Sequence, residues 1–178
     1  MIDWRSEVLK YWFGLEPQKW WNSDADVDAE VKSRFLKTWA AKRELPASCF
    51  IEDPLTALAS VVLFDQFSRN MFRGHGDQYS TDHLALQIAR EAVERGFDEQ
   101  LEKDEQTFLY MPFQHSEDMA DQRQAMVLFT AMGDDYLLGF AKKHHDVVAR
   151  FGRFPHRNAI LGRAPRAEEL AAGDVKPW

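Results

Sequence analysis

Three stretches of the chain gather side chains able to grip an anion or move a proton. Between Val147 and Ala167 stand five arginines, Arg150, Arg153, Arg157, Arg163 and Arg166, without a single acid. They are five of 22 basic residues, so the rest of the chain sets 17 bases against 29 acids. Such an island has two readings. Its arginines pair with surplus carboxylates elsewhere, or their planar forks make bidentate contacts to a phosphate or carboxylate ligand. Within it, Arg150-Phe-Gly-Arg-Phe-Pro-His-Arg-Asn158 interleaves aromatics with arginines. Gly152 and Pro155 constrain its backbone, and Pro155 suits the start of a helix whose first N–H groups would face an anion.

In the second stretch Asp65, Arg69 and Arg73 are spaced i, i+4, i+8. They share a helix face as a ladder of ion pairs, each worth about 0.2–0.5 kcal/mol on a solvated surface. Because they end the most apolar helix of the chain, a charge network lining a cleft is the competing reading. Third is His115-Ser-Glu-Asp118, at the mouth of a helix. Glu117 and Asp118 suit the positive end of the helix dipole whatever the function. His144 falls on the apolar side of its helix, as a core histidine or as a proton carrier. Together His115, Glu117, His144 and His156 could supply an acid–base pair or divalent-metal ligands, although no HxxxH, HExxH or CxxC spacing supports a metal. The phosphate-binding glycine loops and the GxSxG elbow are missing. Cys49 lies between helices with nothing nearby to activate it and reads as a small buried thiol.

The elements that must position these groups are helical. Trp4, Val8, Tyr11 and Trp12 recur at helical spacing, with Gly14 where a left-handed cap would fall. Pro17–Asn22 reads as a loop carrying Trp20 and Trp21. A helix after Ser23 places Val27, Val31, Phe35 and Trp39 in one stripe, with Asp24 and Asp26 near its start. Asp53-Pro54 opens a helix to about Arg69 that is apolar nearly all round, Leu55 included, and so belongs at the centre. Beyond Gly74-His-Gly76, Leu84, Ile88, Ala92 and Val93 mark a helix ended by Gly96. Glu102–Met111 reads as a short helix stopped by Pro112. Ser116 reads as the cap of another, with Glu117 and Asp118 in its first turn, Met119, Met126 and Phe129 inside, and Gly133 closing it. Tyr136, Phe140, His144, Val147, Val148 and Phe151 line a helix ended by Gly152, and short helices near Pro155–Leu161 and Pro165–Ala172 follow. The expectation is a single all-α domain over residues 1–178, with about eight antiparallel helices packed in pairs.

Composition agrees with a globular chain: 178 residues, 45% of them hydrophobic, 13 Phe, 6 Trp and a net charge of −7. The acidity argues against nucleic-acid binding, which needs basic residues to displace counterions. The longest apolar run, Leu55–Phe64, is short of the roughly 20 residues of a bilayer span. A lone cysteine excludes an internal disulfide, and the start of the chain has no apolar leader. A cytoplasmic location is expected.

Val8-Leu-Lys-Tyr-Trp-Phe-Gly14, Trp20-Trp21, Val62-Leu-Phe-Asp-Gln-Phe-Ser-Arg-Asn70, Phe108-Leu-Tyr-Met-Pro112 with His115-Ser-Glu117, and Arg150–Asn158 together resemble the bacterial domain-of-unknown-function 924 family. The resemblance runs in order over essentially the whole chain. It implies an all-helical fold similar to a tetratricopeptide-like α-α superhelix, and no established activity. Matching positions include Asp65, Gln66, Arg69, Asn70, Arg73, His115, Ser116, Glu117, His144, Arg150, Arg153, His156, Arg157 and Asn158. Ser68 stands where the family pattern has proline, a change expected to affect backbone stiffness only, and Gln114 stands where it has glutamate.

Several functions follow as expectations. One is a pocket for a small phosphate or carboxylate, as a binding site or that of a hydrolase, lined by Asp65, Arg69, Asn70, Arg73, Arg150, Arg153, His156, Arg157 and Asn158, with His115, Glu117 and His144 as candidate proton-transfer groups. Another is a peptide- or protein-binding module with a concave groove, using Trp20, Trp21 or the Phe151/Phe154 pair and taking an acidic peptide. A third is a metal-dependent phosphohydrolase built on His145-Asp146, with His115 and Asp174 as further ligands. Neither a metal site nor a cofactor is predicted, and the oligomeric state is left open.

Overall fold

A computed structural model describes residues 3–178. It is all-α, and among the described residues no strand occurs. The chain divides into two compact units, one ending at Leu109 and the other beginning at Tyr110.

In the first unit, α1 (Trp4–Phe13) is capped by Asp3 and α3 (Ala25–Lys42) by Asp24, whose carboxylate accepts from the N–H groups of Asp26 and Val27. The stripe Val27, Val31, Phe35 and Trp39 is buried as its spacing requires. Trp20 and Trp21 sit on a single helical turn, α2 (Gln18–Trp21), rather than in a loop. Trp20 Nε1 donates to Trp12 O at 2.8 Å, which ties that turn to α1. Asp53 caps α4 (Pro54–Val61), accepting from Thr56 N, with Pro54 in the first turn. Leu55, in that same turn, is exposed, and so is Cys49.

The central helix does not run on in α-geometry. Val62–Phe67 is a π-helical segment, after which α5 (Ser68–Met71) resumes. Widening the turn releases carbonyls from the ordinary ladder, and buried carbonyls need donors. Phe64 O accepts from the Ser68 and Thr81 hydroxyls, at 2.7 and 2.6 Å, and Asp65 O accepts from Ser68 Oγ and Arg69 Nη1. Ser68 therefore contributes a hydrogen-bonding side chain, so its presence in place of proline alters more than backbone stiffness. Around this segment Phe35 and Phe67 lie 4.6 Å apart, and Trp12 meets both Phe67 and Phe108 edge-on. Helix α4 packs on α1 and α6 (Asp82–Glu94), and α3 packs on α5.

Helix α7 (Lys103–His115) passes through Pro112 instead of stopping there. Proline φ is helical, and the one hydrogen bond it forfeits is offset by burial of Met111, Phe113 and Gln114. In the second unit α8 (Met119–Ala131) packs along α9 (Asp135–Phe151). The cap of α8 is Asp118, which accepts from Ala120 N; Ser116 instead donates to Asp121 at 2.6 Å, and Glu117 precedes the helix. Tyr136, in the first turn of α9, is exposed and meets Phe140 edge-on rather than lining the apolar face. Gly152 ends α9 at φ 68°, a left-handed cap that L side chains disfavour. A 3-10 turn (Pro155–Arg157) and α10 (Ala167–Ala172) complete the unit. Val147, Val148, Phe151 and Phe154 form its core, against which Met119, Ala172 and Val175 pack. Among the described residues no helix is long and apolar enough to cross a membrane.

Gly14 is required for space, not for handedness. Its φ is −85°, but a Cβ there would lie 2.6 Å from Lys10 O. Gly14→Ala is expected to destabilise the protein by about 1–3 kcal/mol, the usual cost of forcing atoms into packed structure. A denaturant midpoint unchanged in the variant would contradict this.

Candidate functional site

Each unit carries a polar group drawn from the predicted residues. In the first unit Asp65 is fully buried within the π-helical segment. Arg69 reaches it at 3.2 Å and forks onto Asp82 in the first turn of α6, at 2.8 and 3.0 Å. Burial alone would lower the Arg69 pKa, but Asp65 and Asp82 together drive it far up. Asn70 donates to Asp28 Oδ1 at 2.7 Å, and Arg73, past the end of α5, forks onto the same Asp28 at 2.6 and 2.9 Å. Asp28 and Asp82 were invisible as partners in the sequence, since each sits in the first turn of a helix and is adequately explained there by the dipole. None of these residues lines the open depression bordered by Gln87, Arg90, Glu91, Glu94 and Arg95.

In the second unit Glu169 of α10 is 3% exposed. It accepts from Arg153 Nε and Nη2 at 2.6 and 2.8 Å, from Asn158 Nδ2 at 2.9 Å and from Arg166 N at 2.7 Å. Arg163 forks onto Glu117 at 2.7 and 3.0 Å and also donates to Asn158 Oδ1. Glu117 in turn accepts from Phe154 N at 2.7 Å. Arg153 and Arg163 of the basic island are thus paired with carboxylates of the same unit. Arg166 donates to Phe151 O, and Arg150 lies exposed over the Phe151 ring. Neither Glu169 nor Arg163 was picked out as a site residue from the sequence, where the surplus of acid outside the island was the one available signal.

The same unit brings two imidazoles against Phe154 and a third beside His144. His144 meets Phe154 edge-on at 5.6 Å, and His156 lies 5.6 Å from Phe154 and 4.8 Å from Trp178. His115 lies 5.9 Å from His144, while Arg157 covers the Phe154 ring and donates to His115 O at 2.9 Å. Phe151 and Phe154 are buried and have no face to offer a peptide, whereas Trp21, stacked on Phe108, is half exposed.

Electrostatics separate the two carboxylates from the buried histidine. The Arg153 fork and Arg166 N hold Glu169 at a pKa of about 2 against its burial. Arg163 and Phe154 N outweigh burial and lower that of Glu117. His144 is buried, and desolvation, then His115, Arg157 and His156, push its pKa down to about 3 despite the bond to Phe140 O. His144 Nδ1 lies 2.8 Å from that carbonyl. A carbonyl only accepts, so the proton is on Nδ1 and Nε2 carries the lone pair. No protein donor among the described residues reaches Nε2. For metal chemistry, no group of three or more His, Cys, Asp or Glu side chains is gathered among the described residues. His145 pairs with its neighbour Asp146 at 3.2 Å, and Asp174 pairs with Lys176.

Comparison with known proteins places the chain in a family. The family model described as "Bacterial protein of unknown function (DUF924)" matches residues 8–172, and the chain belongs to that family. A solved structure of a protein of unknown function from Agrobacterium tumefaciens is 39% identical, covering 94% of this chain and 95% of its own, with a TM-score of 0.87. No curated protein matches.

The pKa directions predict acid sensitivity in two windows. The native state keeps His144 neutral while the unfolded chain protonates near pH 6.5, so this contribution to stability falls as pH drops from about 6.5 toward 3. Glu169 is ionised when folded and protonates near pH 4.5 when unfolded, so its contribution is lost between about 4.5 and 2. Melting temperatures taken stepwise across this range should show both declines. His144→Phe should remove the upper one and Glu169→Gln the lower; identical profiles in both variants and the wild type would overturn the assignment.

Proposed function

We propose that this family member binds a small anion in the unit beginning at Tyr110, beside His144, with His115, His156 and Arg157 as its other contacts. The observation that carries this proposal is His144 itself. The ring is buried and its Nδ1–H is taken by Phe140 O, yet Nε2 has no protein donor among the described residues. A ligand group that donates a hydrogen bond would complete it. His115, Arg157 and His156 all disfavour positive charge on that ring. A field that repels a cation draws an anion to the same place, and more strongly where water is scarce.

The proposed contacts are a subset of the arginine-rich set in the sequence. Arg153 and Asn158 hold Glu169, so in this proposal they brace the turn that carries His156 and Arg157. Arg69, Asn70 and Arg73 hold Asp82 and Asp28 in the other unit and take no part.

The test is thermal melting in increasing inorganic phosphate, with chloride at matched ionic strength. Phosphate at 100 times its Kd should add about 2.7 kcal/mol, which is about 5–10 °C for a chain of this size. Arg157→Lys keeps the charge but loses the fork, and should weaken binding about tenfold or more. A rise that never saturates and is shared by Arg157→Lys is a general salt effect and would overturn the proposal.

A further inference from the structure

Residues 174–178 are held differently from the helix that precedes them. Helix α10 is pinned through Glu169, which Arg153, Asn158 and Arg166 N all hold. Gly173 N then donates to Leu170 O, and beyond it no hydrogen bond joins residues 174–178 to the rest of the described chain. Lys176 pairs with Asp174 inside the segment, so that ion pair ties it to nothing else. The attachments are apolar. Val175 packs on the core of Val147, Val148, Phe151 and Phe154, Pro177 is buried, and Trp178 meets the His156 ring edge-on at 4.8 Å. Phe154 lies 5.6 Å from the same ring, so His156 sits between an aromatic of the core and one of the segment.

Gly173 has the geometry of a hinge. Its φ of 75° and ψ of −147° lie in a region that only glycine occupies without strain. A Cβ there would meet nothing within 4 Å, so an added side chain acts on the backbone conformation and not on packing. A segment fixed by a few apolar contacts, with no hydrogen bond to its surroundings, opens at low free-energy cost. Trp178 is 63% exposed even against His156, so little burial is lost when it lifts. We infer that residues 174–178 form a strap that swings on Gly173 to cover and uncover His156 and, resting on the anion site proposed above, that its opening admits the anion.

Acylation of histidines by diethyl pyrocarbonate, followed site by site by mass spectrometry on the full chain, tests this. His75, whose side chain is 73% exposed, is the reference for reagent strength, and buried His144 reports on unfolding. Trp178→Ala removes the cover, and Gly173→Ala strains the closed strap. Each should speed His156 acylation about fivefold or more, while His75 and His144 keep their wild-type rates. Saturating inorganic phosphate, against chloride at matched ionic strength, should slow the His156 reaction in Gly173→Ala back toward the wild-type rate. Fast acylation that phosphate does not slow would overturn the anion site and leave the strap standing. Unchanged His156 rates in both variants would overturn the strap. Acceleration in one variant alone would separate cover from hinge and overturn it too, as would His144 reacting in step with His156.

Discussion

The Arg153–Glu169 pair holds the second unit in its present form. A carboxylate that is 3% exposed must be met by opposite charge and by hydrogen bonds, because desolvation otherwise costs several kcal/mol. Glu169 is met by a guanidinium fork, a side-chain amide and a backbone N–H. The amide belongs to Asn158, which also accepts from Arg163; Arg163 forks onto Glu117, and Glu117 takes Phe154 N–H. Through these bonds the turn after Gly152 is fastened both to α10 and to the residues preceding α8. That turn sets Phe154 among His144, His156 and Arg157, so the charge pairs help to position the imidazoles.

His144 is the opposite case of the same constraint. Among the described residues no carboxylate meets it, so burial keeps it neutral and a backbone carbonyl decides which nitrogen holds the proton. One unit therefore contains ionisable groups that stay charged because they are paired, and one that gives up its charge because it is not. In the other unit Arg69 follows the first pattern with two carboxylates, one of them fully buried in a π-helical segment. The extra backbone width of that segment is matched by side chains: the Ser68 and Thr81 hydroxyls and Arg69 itself take the carbonyls it releases.

These pairings recast the basic island. Five arginines in 21 residues read, on composition, as a surface for an external anion. Arg153 and Arg163 instead make up the internal skeleton of their unit. What distinguishes His144 from that skeleton is that burial, not an opposite charge, sets its protonation state.

Amphipathic spacing, caps and turn residues were local enough to be legible in the sequence by itself. The all-helical class, the stripe Val27, Val31, Phe35 and Trp39, the Asp53 cap, the inward face of His144 and the Gly152 stop all follow from contacts within a turn or two. Tertiary structure decided whatever depended on partners distant in the chain. Helix α7 runs through Pro112 because burial outweighs one lost bond. The π-helical segment of the central helix has its carbonyls served in part by Thr81, 17 residues beyond Phe64. Glu117 looked like a helix-dipole residue and serves Arg163, 46 residues away, while Asp28 serves Asn70 and Arg73 across 42 and 45. A carboxylate at the start of a helix has the same local signature whether it stabilises the dipole or awaits a distant guanidinium, so only the folded chain distinguishes the two.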